Sequence, residues 1–261
     1  MEERIKGFCK SLGADLVGIA SSNRFEEAPK GHRPDDLLEG ANSVIVVGIR
    51  ILEPIARWEG RLSRSEIFPE IERKPVPRQT TEELYYPRRA IEAHIYGRYG
   101  YDALNIELER ISYRLAIFLE DNGYKALPLP STYGSGWTAN PPKIAPWFAP
   151  FSHRHAAVLA GLGELGLNNL VITPEFGPRV RLCSIITTAK LQPDPLLDKS
   201  LCLGEKCGKC ISACPHNVFG EIYEFKMAGK SMKLAKVNKE KCWSRVDACG
   251  RCLSVCPLPS V

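Results

Sequence analysis

The sequence predicts an α/β layered domain followed by a small cysteine-rich module. Three observations predict it. Candidate strands and helices alternate from the N-terminus to about residue 192. The composition changes at Gln192-Pro-Asp-Pro195. Beyond that point, eight of the 10 cysteines fall between Cys202 and Cys256. The expected domains are therefore residues 1–192 and 193–261.

The elements follow in order. Ile5, Phe8, Cys9 and Leu12 recur at helical spacing, and Gly13 ends that helix. Leu16–Ala20 reads as a short strand. Val44–Ile49 is apolar without alternation, which suits a central strand buried on both faces. Residues 53–87 carry Pro54, Pro69, Pro75, Pro77 and Pro87 among mixed charges, a long excursion expected to form a lid or packing arm. A helical region runs from Arg89 to Asn122 with a break expected near Gly97–Gly100. Its second half places Leu104, Leu108, Ile111, Leu115, Phe118 and Leu119 on one face, with Gly123 as the stop.

Lys125–Leu129 reads as a strand. Residues 130–150 are rich in proline and carry Tyr133, Trp137, Trp147 and Phe148, a loop that either walls a pocket or packs on itself. His153–Leu162 reads as a helix, followed by Gly161-Leu-Gly-Glu-Leu-Gly166. Leu170–Thr173 and Arg179–Thr188 read as strands joined by a Pro-Glu-Phe-Gly turn.

The cysteine module has two halves. The first is Cys202, Cys207, Cys210 and Cys214, then Pro215; the second is Cys242, Cys249, Cys252 and Cys256, then Pro257. Both end in C-x2-C-x3-C-P, the tail of the bacterial ferredoxin run, in which the fourth cysteine reaches across to the other cluster. Eight thiolates match two [4Fe–4S] clusters. The exchange rule assigns Cys202, Cys207, Cys210 and Cys256 to one cluster, and Cys242, Cys249, Cys252 and Cys214 to the other. A zinc ribbon on the two C-x2-C pairs is the competing expectation, and it strands four cysteines. Cys9 and Cys183 stand apart and are expected to pack in the core.

The chain has 35 basic and 30 acidic side chains, a formal +5, and 44% hydrophobic residues, which are globular values. Two clusters with their thiolates bring the charge to about +1, so nucleic acid is not an expected partner. No run reaches the roughly 20 apolar residues of a membrane helix. The start, MEERIKGFCK, has neither an apolar signal core nor a twin-arginine pair, so the expected location is the cytoplasm. Lys226, Lys230, Lys233, Lys236, Lys239 and Lys241 accompany a hairpin expected to turn at Ala228-Gly229-Lys230. Gly161-x-Gly163-x-x-Gly166 matches a dinucleotide pattern but follows a helix instead of opening one, so it is not taken as a nicotinamide site.

The segment from His153 to Asn168, the segment from Ile172 to Thr187 and the double cysteine motif together resemble the epoxyqueuosine reductases and reductive dehalogenases. So do Ser11–Ala20, Ala41–Gly48 and the region Tyr99–Asp102. The resemblance implies a nitroreductase-like α/β domain that binds a cobalamin, with two [4Fe–4S] clusters in a bacterial-ferredoxin-like domain feeding electrons to cobalt. It implies a low-potential ferredoxin or flavodoxin donor, and a small-molecule substrate or a partner corrinoid protein. It places Gly161, Gly163, Gly166, Asn168 and Asn169 near the corrin, where glycines permit close backbone approach. Arg154 joins them as a candidate for an anionic cofactor tail. The candidates for a proton donor are Tyr99, Tyr101, Tyr133 and His153.

Departures from the family pattern shape the expectation further. No acidic residue lies between Ser131 and Ala160, where epoxyqueuosine reductases carry an aspartate. Glu164, Leu167 and Asn168 stand where those enzymes usually have Trp, Lys and Asn. Val261 follows the last ligand by five residues, without a helical tail for tRNA. The expected function is thus an iron–sulfur oxidoreductase of this type. An electron-transfer protein without its own substrate and a tRNA epoxyqueuosine reductase are the rivals.

Overall fold

The structure is a computed structural model that describes residues 1–57, 95–131, 149–239, 241–242 and 249–259. A four-stranded antiparallel sheet organises the first domain, in the order β1, β2, β6, β3. The strands are β1 (Leu16–Ser21), β2 (Ser43–Arg50), β3 (Ala126–Pro128) and β6 (Val180–Thr187). In the centre, Ile45 pairs with Ile185 and with Ile19. Seven of the eight β2 residues are buried, as an unalternating apolar strand requires when both faces are covered.

Helices cover one face and a mixed layer covers the other. On the first, α1 (Glu2–Ser11) and α2 (Ala103–Asp121) bury Ile5, Cys9, Leu108, Ile111, Leu115 and Leu119 against Ile45, Val47 and Ile185. On the second, α3 (His153–Leu159) packs Ala156–Leu159 against Val44, Val46 and Ile186, with Phe151 and Met232 in the same cluster. Cys9 and Cys183 both lie in the first core, fully buried, as their isolation in the sequence predicts.

Two expectations are corrected. The break near Gly97–Gly100 is a π-wound stretch, Tyr96–Asp102, that runs directly into α2. It holds because the Tyr96 ring fills the space beside Gly100, where a Cβ would lie 2.8 Å from it. The two strands expected around the Pro-Glu-Phe-Gly turn belong to different sheets. The turn forms, with Thr173 and Gly177 exchanging backbone hydrogen bonds of 2.9 Å. However, β5 (Val171–Ile172) pairs with β4 (Glu164–Leu165) in a small ribbon, and only β6 joins the main sheet.

Beyond β6 the chain is pinned to the first domain. Lys6 Nζ reaches Asp194 at 2.5 Å, Ile19 N–H donates to the same carboxylate at 2.9 Å, and Arg24 donates to the Asp194 carbonyl at 2.8 Å. The cysteine module contains the hairpin β7 (Phe219–Met227) and β8 (Lys230–Val237), with Ala228 and Gly229 both at positive φ in the turn. It also contains two short helices, α4 (Lys209–Ser212) and α5 (Arg251–Ser254). No described helix is long and apolar enough to cross a membrane. Residues 58–94, which include most of the excursion expected at 53–87 and the start of the helical region expected from Arg89, lie outside the described residues, as do 132–148, the greater part of the aromatic loop with Tyr133.

Candidate functional site

The cysteines fall into two groups. Cys202, Cys207, Cys210 and Cys256 line one cavity, with Leu167 and Asn168 of the first domain at its wall. The loop from Cys202 to Cys210 coils tightly because Gly204 and Gly208 adopt positive φ, which costs glycine no Cβ clash. Burial, reinforced by Cys202 and Cys256, pushes the Cys210 thiol up to about 11. In the second group burial pushes Cys252 up to about 12, and Cys249, Cys242, Cys210 and Cys214 add to it. Cys249 is likewise raised by burial, with Cys242 and Cys214 as its charged neighbours. Thus the last cysteine of each half lies beside the other half.

Crowded buried thiols resist ionising together, and a cationic core reverses that. No cysteine is in a disulfide. Among the described residues, no three His, Cys, Asp or Glu side chains converge on a point that a single ion would occupy. The four thiols that line the cavity are the donor set a [4Fe–4S] cubane takes.

The glycine-rich segment fastens this module to the first domain. Glu164 Oε1 accepts from Leu201 N–H at 2.6 Å and Cys202 N–H at 2.5 Å. Leu167 N–H donates to Cys202 Sγ at 3.4 Å, and Asn168 Nδ2 donates to the Cys252 carbonyl at 3.2 Å. Asn169, at φ 62, donates to the Ala235 carbonyl of β8 at 2.6 Å, and Arg154 donates to the Asn169 carbonyl at 2.5 Å. Arg57 caps α5 through the Ser254 and Cys256 carbonyls at 3.0 and 2.6 Å.

The same geometry bears on the expected corrin contacts. A Cβ on Gly161 would lie 2.1 Å from the Pro195 carbonyl oxygen, and one on Gly163 2.2 Å from that of Ile172. On Gly166 it would lie 2.5 Å from Ile172 Cδ1. The chain itself makes the close approach that excludes side chains here. At these three glycines the chain's own atoms occupy the side on which a Cβ would stand.

A polar site lies between β6 and the start of α2. Arg181 Nε and Nη2 both donate to Asn105 Oδ1, at 3.0 and 2.8 Å, and the guanidinium lies 4.0 Å from the Tyr101 ring centroid. Asn105 is 4% exposed, and its Nδ2 is buried without a hydrogen-bond partner. Tyr96 connects this site to the second cysteine group. Burial pushes its phenol up to about 12; Arg181 opposes that shift, while Cys252 and Cys249 add to it. Its ring also fills the space beside Gly250, between Cys249 and Arg251.

Of the expected proton donors, Tyr101 lies in this site, whereas Tyr99 is 59% exposed. His153 Nε2 meets the Pro130 carbonyl at 2.8 Å and Nδ1 meets Ser184 Oγ at 2.9 Å. The carbonyl only accepts, so Nε2 carries a proton and donates to it. Burial holds its pKa down at about 4. Tyr96, Asn105, Arg181 and Glu164 are site residues that pattern reasoning passes over. A signal existed for two: Asn105 is polar on the buried face of α2, and Arg181 is a charge entering an apolar strand.

The fold and the cysteine geometry define a two-cluster iron–sulfur protein, and residues 201–258 match the family of 4Fe-4S dicluster domains. The tetrachloroethene reductive dehalogenase of Sulfurospirillum multivorans is 38% identical over 241 residues, covering 83% of this chain and 40% of that protein. The epoxyqueuosine reductase of Bacillus cereus is 24% identical over 237 residues, covering 82% and 51%. A solved reductive dehalogenase, described as suggesting a mechanism for B12-dependent dehalogenation, shares the fold at TM-score 0.59 and 21% identity, covering 98% of this chain and 31% of that one. Over most of its length the chain is similar to a reductive dehalogenase and, more distantly, to an epoxyqueuosine reductase, and its C-terminal residues match the 4Fe-4S dicluster family. It spans about half the length, or less, of the curated relatives it matches.

Proposed function

We propose that this chain is an oxidoreductase that carries low-potential electrons from a ferredoxin or flavodoxin through its C-terminal module to an acceptor beside Tyr101 and Arg181. Cys202, Cys207, Cys210 and Cys256 hold one [4Fe–4S] cluster; Cys214, Cys242, Cys249 and Cys252 hold the other. When bound, the clusters supply single-electron transfer. One observation carries the proposal: the Tyr96 ring lies beside Gly250, next to Cys249 in the chain, and its phenol is within electrostatic reach of Cys249, Cys252 and Arg181. Electrons and protons would then meet at one place.

The chain's own residues supply the proton chemistry. Tyr101 gives its hydroxyl proton to the reduced acceptor. Arg181, over the ring, offsets the negative charge left on the oxygen. Asn105 fixes the guanidinium by accepting two of its N–H groups. His153 is a structural pin between the loop end at Pro130 and strand β6, and no proton passes through it.

The acceptor is a corrinoid or an organic substrate taken directly. The B12-dependent solved relative favours a corrinoid. The filled sides of Gly161, Gly163 and Gly166 favour the second reading, in which the chain binds no corrin and reduces a substrate or a partner corrinoid protein. Anaerobic purification followed by corrin titration separates them. Stoichiometric uptake with a spectral change supports the corrinoid enzyme. Cubane absorption without uptake supports the second reading. Absence of cubane absorption would reject both.

A further inference from the structure

Glu164 is a carboxylate buried to 4% exposure. Its Oε1 accepts from the backbone N–H of Leu201 at 2.6 Å, from that of Cys202 at 2.5 Å and from the Ser200 hydroxyl at 3.3 Å. Three donors on one oxygen offset the desolvation of a carboxylate that has no cationic partner among the described residues. They also fix the main chain at Cys202 itself. Three residues further on, Leu167 N–H reaches Cys202 Sγ at 3.4 Å. One short segment therefore holds both the backbone and the sulfur of a single cysteine.

That segment is itself rigid. Glu164 pairs with Ile172 in the β4–β5 ribbon. Gly163 lets the Ile172 carbonyl approach within 2.2 Å of where a Cβ would stand. The carboxylate thus has a fixed position behind the ligand, and its charge acts without reorganisation. Two residues beyond Gly166, the segment offers the other cysteine group a neutral contact, Asn168 Nδ2 on the Cys252 carbonyl.

We propose that Glu164 is a positioning residue for the cluster that contains Cys202, and that its negative charge keeps this cluster's reduction potential below the value a neutral residue would give. The proposal rests on the cluster assignment above. A fixed negative charge beside a centre that gains an electron disfavours the reduced form. Glu164 therefore pushes electrons away from the Cys202 site toward the Cys252 site, which adjoins Tyr96. The charge acts through the first domain's own chain, so the direction of flow is built into the junction between the domains.

The experiment uses the full chain, reconstituted anaerobically, with each cluster's midpoint potential read by EPR-monitored titration. Glu164→Gln keeps an acceptor oxygen for the three donors and removes the charge. One cluster should move to higher potential and the other should stay, with about eight iron atoms per chain retained. Glu164→Ala also removes the acceptor, and iron should fall toward about four per chain, with the EPR signal of the remaining cluster showing that the fold survives. Unchanged potentials in Glu164→Gln, or equal shifts of both clusters, overturn the proposal. A wild-type chain without iron and sulfide overturns the cluster assignment instead, and the two failures are distinct.

Discussion

Arg181 lies over Tyr101, its guanidinium carbon 4.0 Å from the ring centroid, while two of its N–H groups converge on Asn105. A cation held on an aromatic face by a neutral amide has its charge directed at the ring, since no carboxylate accepts those two N–H groups. That relationship picks Tyr101 out from the tyrosines among the described residues.

Tyr101→Phe keeps the ring under Arg181 and deletes only the proton. Steady-state reduction of the accepting substrate should fall about 10²- to 10⁴-fold, the usual range for loss of a general acid. Dithionite reduction of the clusters should be unaffected. Tyr99→Phe, at an exposed position, is the control and should retain wild-type turnover. Full turnover in Tyr101→Phe assigns the proton to another group.

The exchange between cysteine halves has its own consequence. Cys256 lines the cavity of the first half, and Cys214 acts on Cys249 and Cys252 of the second. Cys214→Ala should therefore perturb the EPR signal of the cluster held by Cys242, Cys249 and Cys252. Cys256→Ala should perturb the other. Loss of the same-half cluster in either variant contradicts the exchange.

Acid should weaken the fold through two histidines. His153 and His155 are ordinarily near 6.5, and both are held down at about 4 because burial disfavours their charged forms. The unfolded chain then binds more protons than the folded one between these values. Stability is present in full above about 6.5 and is lost as pH falls toward about 4. Chemical denaturation across that window, compared between wild type and His153→Gln, should show a shallower pH slope in the variant. Parallel slopes would contradict the burial of a neutral His153 ring.

Much of this was legible in the residues. The unalternating run Val44–Ile49 becomes a strand covered on both sides, and the helical face from Leu108 to Leu119 becomes one core wall. The repeated C-x2-C-x3-C-P pattern marks six of the eight clustered cysteines, and Cys202 and Cys242 each precede one copy of it. The Ala228-Gly229 turn appears as a hairpin, although Lys233 and Lys236 are engaged with Glu205 and Glu221. What stayed hidden depends on contacts distant in sequence. Glu164 looked like a departure in a glycine-rich loop, and only the folded chain brings Cys202 to it. Arg181 and Asn105 are separated by 76 positions, so no local period joins them. The π-wound turn at Tyr96–Asp102 looked like a helix break because Gly97 and Gly100 weaken helix propensity, whereas the Tyr96 ring fills the gap Gly100 leaves.

The central claim, that the C-terminal cysteines hold two clusters able to feed the Tyr101 site, is tested most directly by metal and acid-labile sulfide analysis of the anaerobically purified chain. About eight iron and eight sulfide per chain are predicted. Stoichiometric zinc without sulfide would contradict it.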